Sequence, residues 1–199
     1  MNQPNITPYE RIILGVDPGS SVMGWGVIAV VEKRARFVDT GIIDLRKIPN
    51  HYLSLRKIFE EITQLIETYY PEELAIEAPF FGKNVQSMLK LGRSQGAAIT
   101  AAACRDIPIV EYAPLKIKQA ITGNGQASKE QVADMLCRIL KIDKSQLPKE
   151  LDATDGLAAA YCHFLESSRP SIDGKHYSSW KDFAQRNSNR VSGLSKKEK

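Results

Sequence analysis

The period of apolar and polar positions changes several times along the chain, and each change marks an element. Residues 11–17 (RIILGVD) are an apolar run with β-branched side chains that stops at the turn-forming DPGS, which predicts a buried first strand. Two stretches rich in β-formers, 22–31 and 34–45, flank a polar break at Glu32 and Lys33 and predict an antiparallel hairpin. Over residues 51–70 the period becomes helical: Leu55, Ile58, Phe59, Ile62, Leu65, Ile66 and Tyr69 recur at steps of three and four, and Pro71 ends the run. Residues 73–77 (ELAIE) predict a short strand, 85–103 a helix with small residues over much of its surface, and 107–112 the last strand. Pro114 suits the first turn of a helix reaching about residue 121, and the loop GNGQ follows. Ser128 and Gln131 form a capping box ahead of Val132, Met135, Leu136, Ile139 and Leu140, and a final helix spans 151–167. The order β-β-β-α-β-α-β-α-α-α predicts an α/β fold, a five-stranded mixed sheet flanked by helices.

Composition bounds this picture. A chain of 199 residues, 43% hydrophobic and 25% charged, fits one folded domain over 11–168, with an N-terminal extension at 1–10. The formal charge is +4, but it is unevenly placed: eight Lys and Arg face three acids from Ser167 onward, so the body sums to about −1. Any nucleic-acid site in the body must therefore be a local patch. Residues 169–199 read as a basic, flexible tail, poor in aliphatic side chains. Cys104, Cys137 and Cys162 have no CxxC spacing and fall in apolar helical stretches, which predicts reduced, buried thiols of a cytoplasmic protein. The polar N-terminus lacks a signal-peptide core, and no apolar run approaches the roughly eighteen residues of a membrane span.

Four acids stand where acids are costly. Asp17 and Glu77 each close an apolar strand, and Asp152 and Asp155, three apart, share one face at the start of a Leu- and Ala-rich helix. In open α/β sheets, sites gather at the carboxyl ends of parallel strands, so Asp17 and Glu77 meet if their strands are neighbours. Carboxylates without histidine suit a hard cation such as Mg²⁺. Two such ions about 3.5 to 4 Å apart suit activation of a water and stabilisation of the leaving oxygen of a phosphodiester. Taken singly, each acid has a plainer reading: an Asp before Pro-Gly is a turn residue, a strand-terminal Glu a surface residue, and acids in a first helical turn suit its dipole. His163 lies about 16 Å from Asp152 along a straight helix, too far to share an ion, which leaves it a surface or helix-packing role.

Four blocks carry a resemblance. IILGVDPGSSVMGWGVI, ELAIEAPFFGKNVQSMLKLGRSQGAA, EYAPLKIKQAITGNGQASKEQV and LDATDGLAAAYCH resemble, in order and spacing, the blocks of RuvC Holliday junction resolvases over roughly residues 12–165. The resemblance implies an RNase H-like fold, a homodimer, divalent metal, and paired nicks in a four-way DNA junction. It implies that Asp17, Glu77 and Asp152 are the metal-binding catalytic acids, with Asp17 bridging two Mg²⁺ ions per subunit, and that Asp155 completes the shell. Mn²⁺ is an acceptable substitute, since both ions take oxygen cages. By the same resemblance Phe80 meets bases at the junction centre, where stacking contributes about 1 to 3 kcal/mol, although Phe81 follows and only one need point outward. Lys118 and Lys129 match basic positions near the scissile DNA, with Lys118 counted in the catalytic set, while Lys83, Lys90 and Arg93 extend the phosphate track. Each lysine has the alternative of a solvated helix surface. The small residues Gly92, Ser94, Gly96, Ala97, Ala98, Ala101, Ala102 and Ala103 allow another helix to approach closely, within the chain or, as the resemblance implies, from a second copy. A branch-migration motor of the RuvA–RuvB type is a further implied partner. The rival readings are an RNase H-like nuclease for other branched or hybrid substrates, and a junction-binding module without catalysis.

Overall fold

A computed structural model describes residues 10–79, 84–143, 145, 147–148 and 150–168. The elements are β1 (Arg11–Asp17), β2 (Val22–Val31), β3 (Arg34–Asp44), α1 (His51–Tyr69), β4 (Glu73–Glu77), α2 (Val85–Ala103), β5 (Ile109–Tyr112), α3 (Pro114–Thr122), α4 (Lys129–Leu140) and α5 (Asp152–Ser167), in the expected order. Local chemistry explains most of their ends. Glu32 and Lys33 both sit at left-handed φ (51° and 59°), the pattern of a two-residue hairpin whose twist matches its strands. Tyr70 caps α1 in the same region at φ 50°, immediately before Pro71. The capping box of α4 is complete, Ser128 and Gln131 bonding reciprocally.

One sheet holds all five strands in the order β3-β2-β1-β4-β5. β1–β2 and β2–β3 are antiparallel, whereas β1–β4 and β4–β5 are parallel, so the sheet is mixed. Alternation along the strands divides the core in two. Leu14, Val16, Met23, Val27, Leu74 and Ile76 meet α1 and α2 on one face; Ile13, Ile28, Val30 and Ala75 meet α3, α4 and α5 on the other.

Two expectations need correction. Cys137 and Cys162 are buried, but Cys104 is exposed because it is the C-cap of α2, where the chain leaves the helix and its packing. The last strand begins at Ile109 rather than Ile107: Asp106 turns through φ 55° and the Ile107 amide bonds back to the Ala102 carbonyl, so the chain is still turning there. The small residues of α2 split between two sides. Ser94, Ala98, Ala101 and Ala102 are buried within the chain, whereas a Cβ on Gly92 or Gly96 would meet nothing within 4 Å. Among the described residues, no helix is long and apolar enough to cross a membrane. Phe80, Lys83, residues 1–9 and residues 169–199 lie outside the described residues.

Candidate active site

Period-two geometry aims the strand acids. In β1, Asp17 shares the α5 face with Ile13 and Gly15; in β4, Glu77 shares it with Ala75. Val16 pairs with Ile76 in parallel register, so the two acids end adjacent strands at their carboxyl ends. The helix acids arrive because α5 lies unusually close to β2. A Cβ on Gly24 would stand 1.7 Å from the Asp152 carbonyl oxygen, and one on Gly156 would stand 2.5 Å from Trp25 Cα. Glycine at both positions lets backbone meet backbone, which sets the first turn of α5 against the end of β1.

The outcome is one cluster. Ligand atoms of Asp17, Asp152 and Asp155 lie within 4.8 Å of one another. Glu77 stands outside that set, but with Asp17, Asp155, Lys118 and Lys129 it lines a pocket of about 340 Å³. Asp17 and Asp155 thus belong to both groupings, so Asp155, expected only to complete the shell, is as central as Asp17. Lys129, the first residue of α4, places its ammonium 3.1 Å from Asp152 Oδ1 and also donates to Asp155 Oδ2.

Burial and crowding make Asp17, Glu77 and Asp155 hard to ionise. Burial, then the charges of Glu77 and Asp155, hold the Asp17 carboxyl well above the usual carboxylate range. Burial and the Asp155 charge push Glu77 up to about 7. Burial also raises Asp155, against the hydrogen bond and charge of Lys129. The Lys129 ammonium is opposed by burial, yet Asp155 and Asp152 hold its proton more tightly than usual. A divalent cation fits this site on the chemistry of its donors: the set is all carboxylate oxygen, close enough to converge, and carries negative charge that one lysine leaves uncompensated.

The remaining expected residues fall around this centre. Lys118 of α3 lines the pocket directly. Lys90 and Arg93 are exposed on α2, in the opposite helical layer, where burial first, and then the charges of Arg93 and Lys90, hold the His51 imidazole below its usual value. His163 is buried, not on the surface: Tyr112 Oη lies 2.7 Å from its Nδ1 and Glu73 Oε2 3.3 Å from its Nε2, so it packs α5 against β4 and β5. Three residues went unnoticed in the sequence. Gln95 of α2 donates from Nε2 to the Glu77 carbonyl (3.4 Å) and to Glu111 Oε2 (3.0 Å). Arg46, paired with Asp44 at 2.8 Å, feels the charge of Asp152. Thr40 bonds to the start of α5. A glutamine within a small-residue helix was a legible signal for the first; the other two depend on tertiary placement alone.

Comparison with known proteins adds an independent line. The family model described as crossover junction endodeoxyribonuclease RuvC matches residues 13–163. The chain is 65% identical over 182 residues to a crossover junction endodeoxyribonuclease RuvC of Bacteroides fragilis, covering 92% of this chain and 96% of that one. It is 58% identical over 188 residues to the same-named protein of Porphyromonas gingivalis, covering 94% and 100%. The solved structure of T. thermophilus RuvC in complex with a Holliday junction substrate superposes with TM-score 0.71 at 30% identity, over 79% of this chain and 95% of that one. The yeast mitochondrial Holliday junction resolvase Ydc2 shares the fold, with TM-score 0.57 at 14% identity over 83% and 84%.

Proposed function

Because the chain belongs to the RuvC family of crossover junction endodeoxyribonucleases, we propose that it resolves four-way DNA junctions by paired, symmetric hydrolytic nicks that leave 5′ phosphate and 3′ hydroxyl ends. The observation that carries this reading is the convergence of Asp17, Asp152 and Asp155, with Asp17 and Asp155 also lining, together with Glu77, a pocket that Lys118 and Lys129 share. The acids would hold Mg²⁺, two ions per subunit with Mn²⁺ able to substitute, and the metal would supply activation of water and neutralisation of charge at the scissile phosphate. Asp17 and Asp155, which belong to both groupings, would stand at the centre of the ligand set. Glu77 from β4 and Asp152 from α5 would each add a carboxylate to that set. Asp17, Glu77 and Asp155, partly buried and mutually repelling, are poor anions by themselves, so the fold holds them ready for positive charge rather than for solvent.

Lys118 and Lys129 bring fixed positive charge to the rim, where an ammonium offsets phosphate charge that grows as the bond breaks. Lys83, Lys90 and Arg93 extend the path of the DNA backbone, and Phe80 stacks on a base at the junction centre. Two copies act together. Val85 and Leu89 are 64% and 49% exposed, and with Gly92 and Gly96 they follow steps of four, three and four, so α2 presents an apolar and small-residue seam suited to its own copy. A two-fold dimer offers two sites to a junction of the same symmetry, alongside a RuvA–RuvB type motor in the cytoplasm, where Cys104, Cys137 and Cys162 stay reduced, none of them in a disulfide.

A cleavage assay with Mg²⁺ on a synthetic four-way junction, linear duplex and RNA:DNA hybrid tests this. Preferential cutting of the junction is expected. Preferential cutting of the hybrid, or tight junction binding without cuts, would overturn it.

A further inference from the structure

Helix α5 carries two of the site's four acids, yet its start lacks the usual anchor. Leu151, its N-cap, is in the right-handed helical region and makes no side-chain capping bond. Close packing over Gly24 limits how near the first turn may come to the sheet but supplies no directional bond.

Thr40 supplies one. It lies on β3, 113 residues away in sequence, and is 7% exposed. Its Oγ1 is 2.7 Å from the Ala153 carbonyl oxygen and 2.8 Å from that of Trp25. The hydroxyl has one proton, shared between the two, so a single side chain ties β2, β3 and the first turn of α5 together at the residue next to Asp152.

A β-bulge aims it. Val27 pairs with Asp39 while Ile28 pairs with Phe37, which leaves Val38 as an extra residue in β3. Before the bulge, Ala35 and Phe37 face α5. Uninterrupted alternation would continue with 39 and 41 and turn Thr40 away. After the bulge, Asp39 instead faces the other layer, where its Oδ2 accepts from Tyr69 Oη of α1 at 2.5 Å. Gly41 lies against the Trp25 ring, and Ile43 joins the core under α1 and α2. The phase change thus turns Thr40 onto α5, while Asp39 fixes β3 to the end of α1.

We propose that Thr40 is a positioning residue for the catalytic carboxylates: turned onto α5 by the bulge at Val38, its hydroxyl holds Ala153 and thereby sets where Asp152 and Asp155 stand relative to Asp17. The proposal rests on the reading of those acids as the metal-binding site. Residues that orient metal ligands typically change metal affinity or activity by about 10- to 100-fold when altered.

The test compares the full-length parent with Thr40→Val, Thr40→Ala, Thr40→Ser and Asp17→Asn. Mn²⁺ binding is followed by calorimetry, backbone exchange of Ala153 to Gly156 without metal by hydrogen–deuterium exchange, and junction affinity in EDTA by anisotropy. Thr40→Val is expected to bind Mn²⁺ about 10- to 100-fold more weakly, to exchange faster at the start of α5, and to bind junction as the parent does. Thr40→Ser, which keeps the hydroxyl, restores the parent's values. Parent-like Mn²⁺ binding and exchange in Thr40→Val, or an equal loss in Thr40→Ser, would overturn the proposal. If Thr40→Val and Thr40→Ala both fail to fold while Thr40→Ser folds, the hydroxyl serves the fold at large and the positioning role is also overturned. Unchanged Mn²⁺ binding in Asp17→Asn would sink the metal-site reading itself, a result separable from failure at Thr40.

Discussion

Glu77 shows how a single side chain can serve a site at a cost to its fold. An acid whose folded pKa lies above its unfolded value binds its proton more tightly when folded. That contribution is present below the ordinary value of 4.5 and is lost as the pH rises through about 7. At about 1.4 kcal/mol per pH unit, the loss is of the order of 3 kcal/mol for Glu77, and Asp17 acts in the same direction. Glu77→Gln, similar in shape and unable to ionise, should therefore raise the melting temperature in EDTA by several degrees at pH 8 and by little at pH 4.5. A gap that does not widen with pH would contradict the electrostatic account. Asp17 and Glu77 were legible in the sequence because strand alternation aims a terminal acid once the apolar run is seen. Thr40 was not, since its direction depends on the extra residue at Val38, and a bulge leaves no mark in the hydrophobic pattern when its neighbours are themselves β-formers.

Elements were legible where their ends are chemically local. Ser128 and Gln131, Pro71 and the Glu32–Lys33 hairpin all signal a boundary by bonds within a few residues. The start of α5 is different: with no side-chain cap, it is set by β2 beneath it and β3 beside it. The close approach of α5 to β2 rests on glycine, and Gly24 has backbone, not a flexible side chain, as its obstacle. Gly24→Ala should thus lower stability by about 1–3 kcal/mol and reduce junction cleavage beyond what the remaining folded fraction explains, because α5 must retreat with Asp152. Urea denaturation and cleavage measured on the same preparation check this. Parent-like cleavage per folded molecule would show that the spacing is not critical.

At the scale of the whole molecule, the sheet gathers the site at one end while α2 presents its open seam in the opposite layer. Leu89→Arg should convert a dimer to a monomer by light scattering without loss of helical signal, and a dimer that persists would place the interface elsewhere. On the proposed function, Asp17 and its neighbours hydrolyse the junction symmetrically in a metal-dependent way. The most direct measurement incubates parent and Asp17→Asn with Mg²⁺ and a four-way junction, then treats the products with DNA ligase. Two opposed nicks per junction that the ligase seals, as 5′ phosphate and 3′ hydroxyl ends require, are expected from the parent, and no nicks from Asp17→Asn although it still binds the junction. Near-parent cutting by Asp17→Asn, or nicks that cannot be sealed, would contradict it.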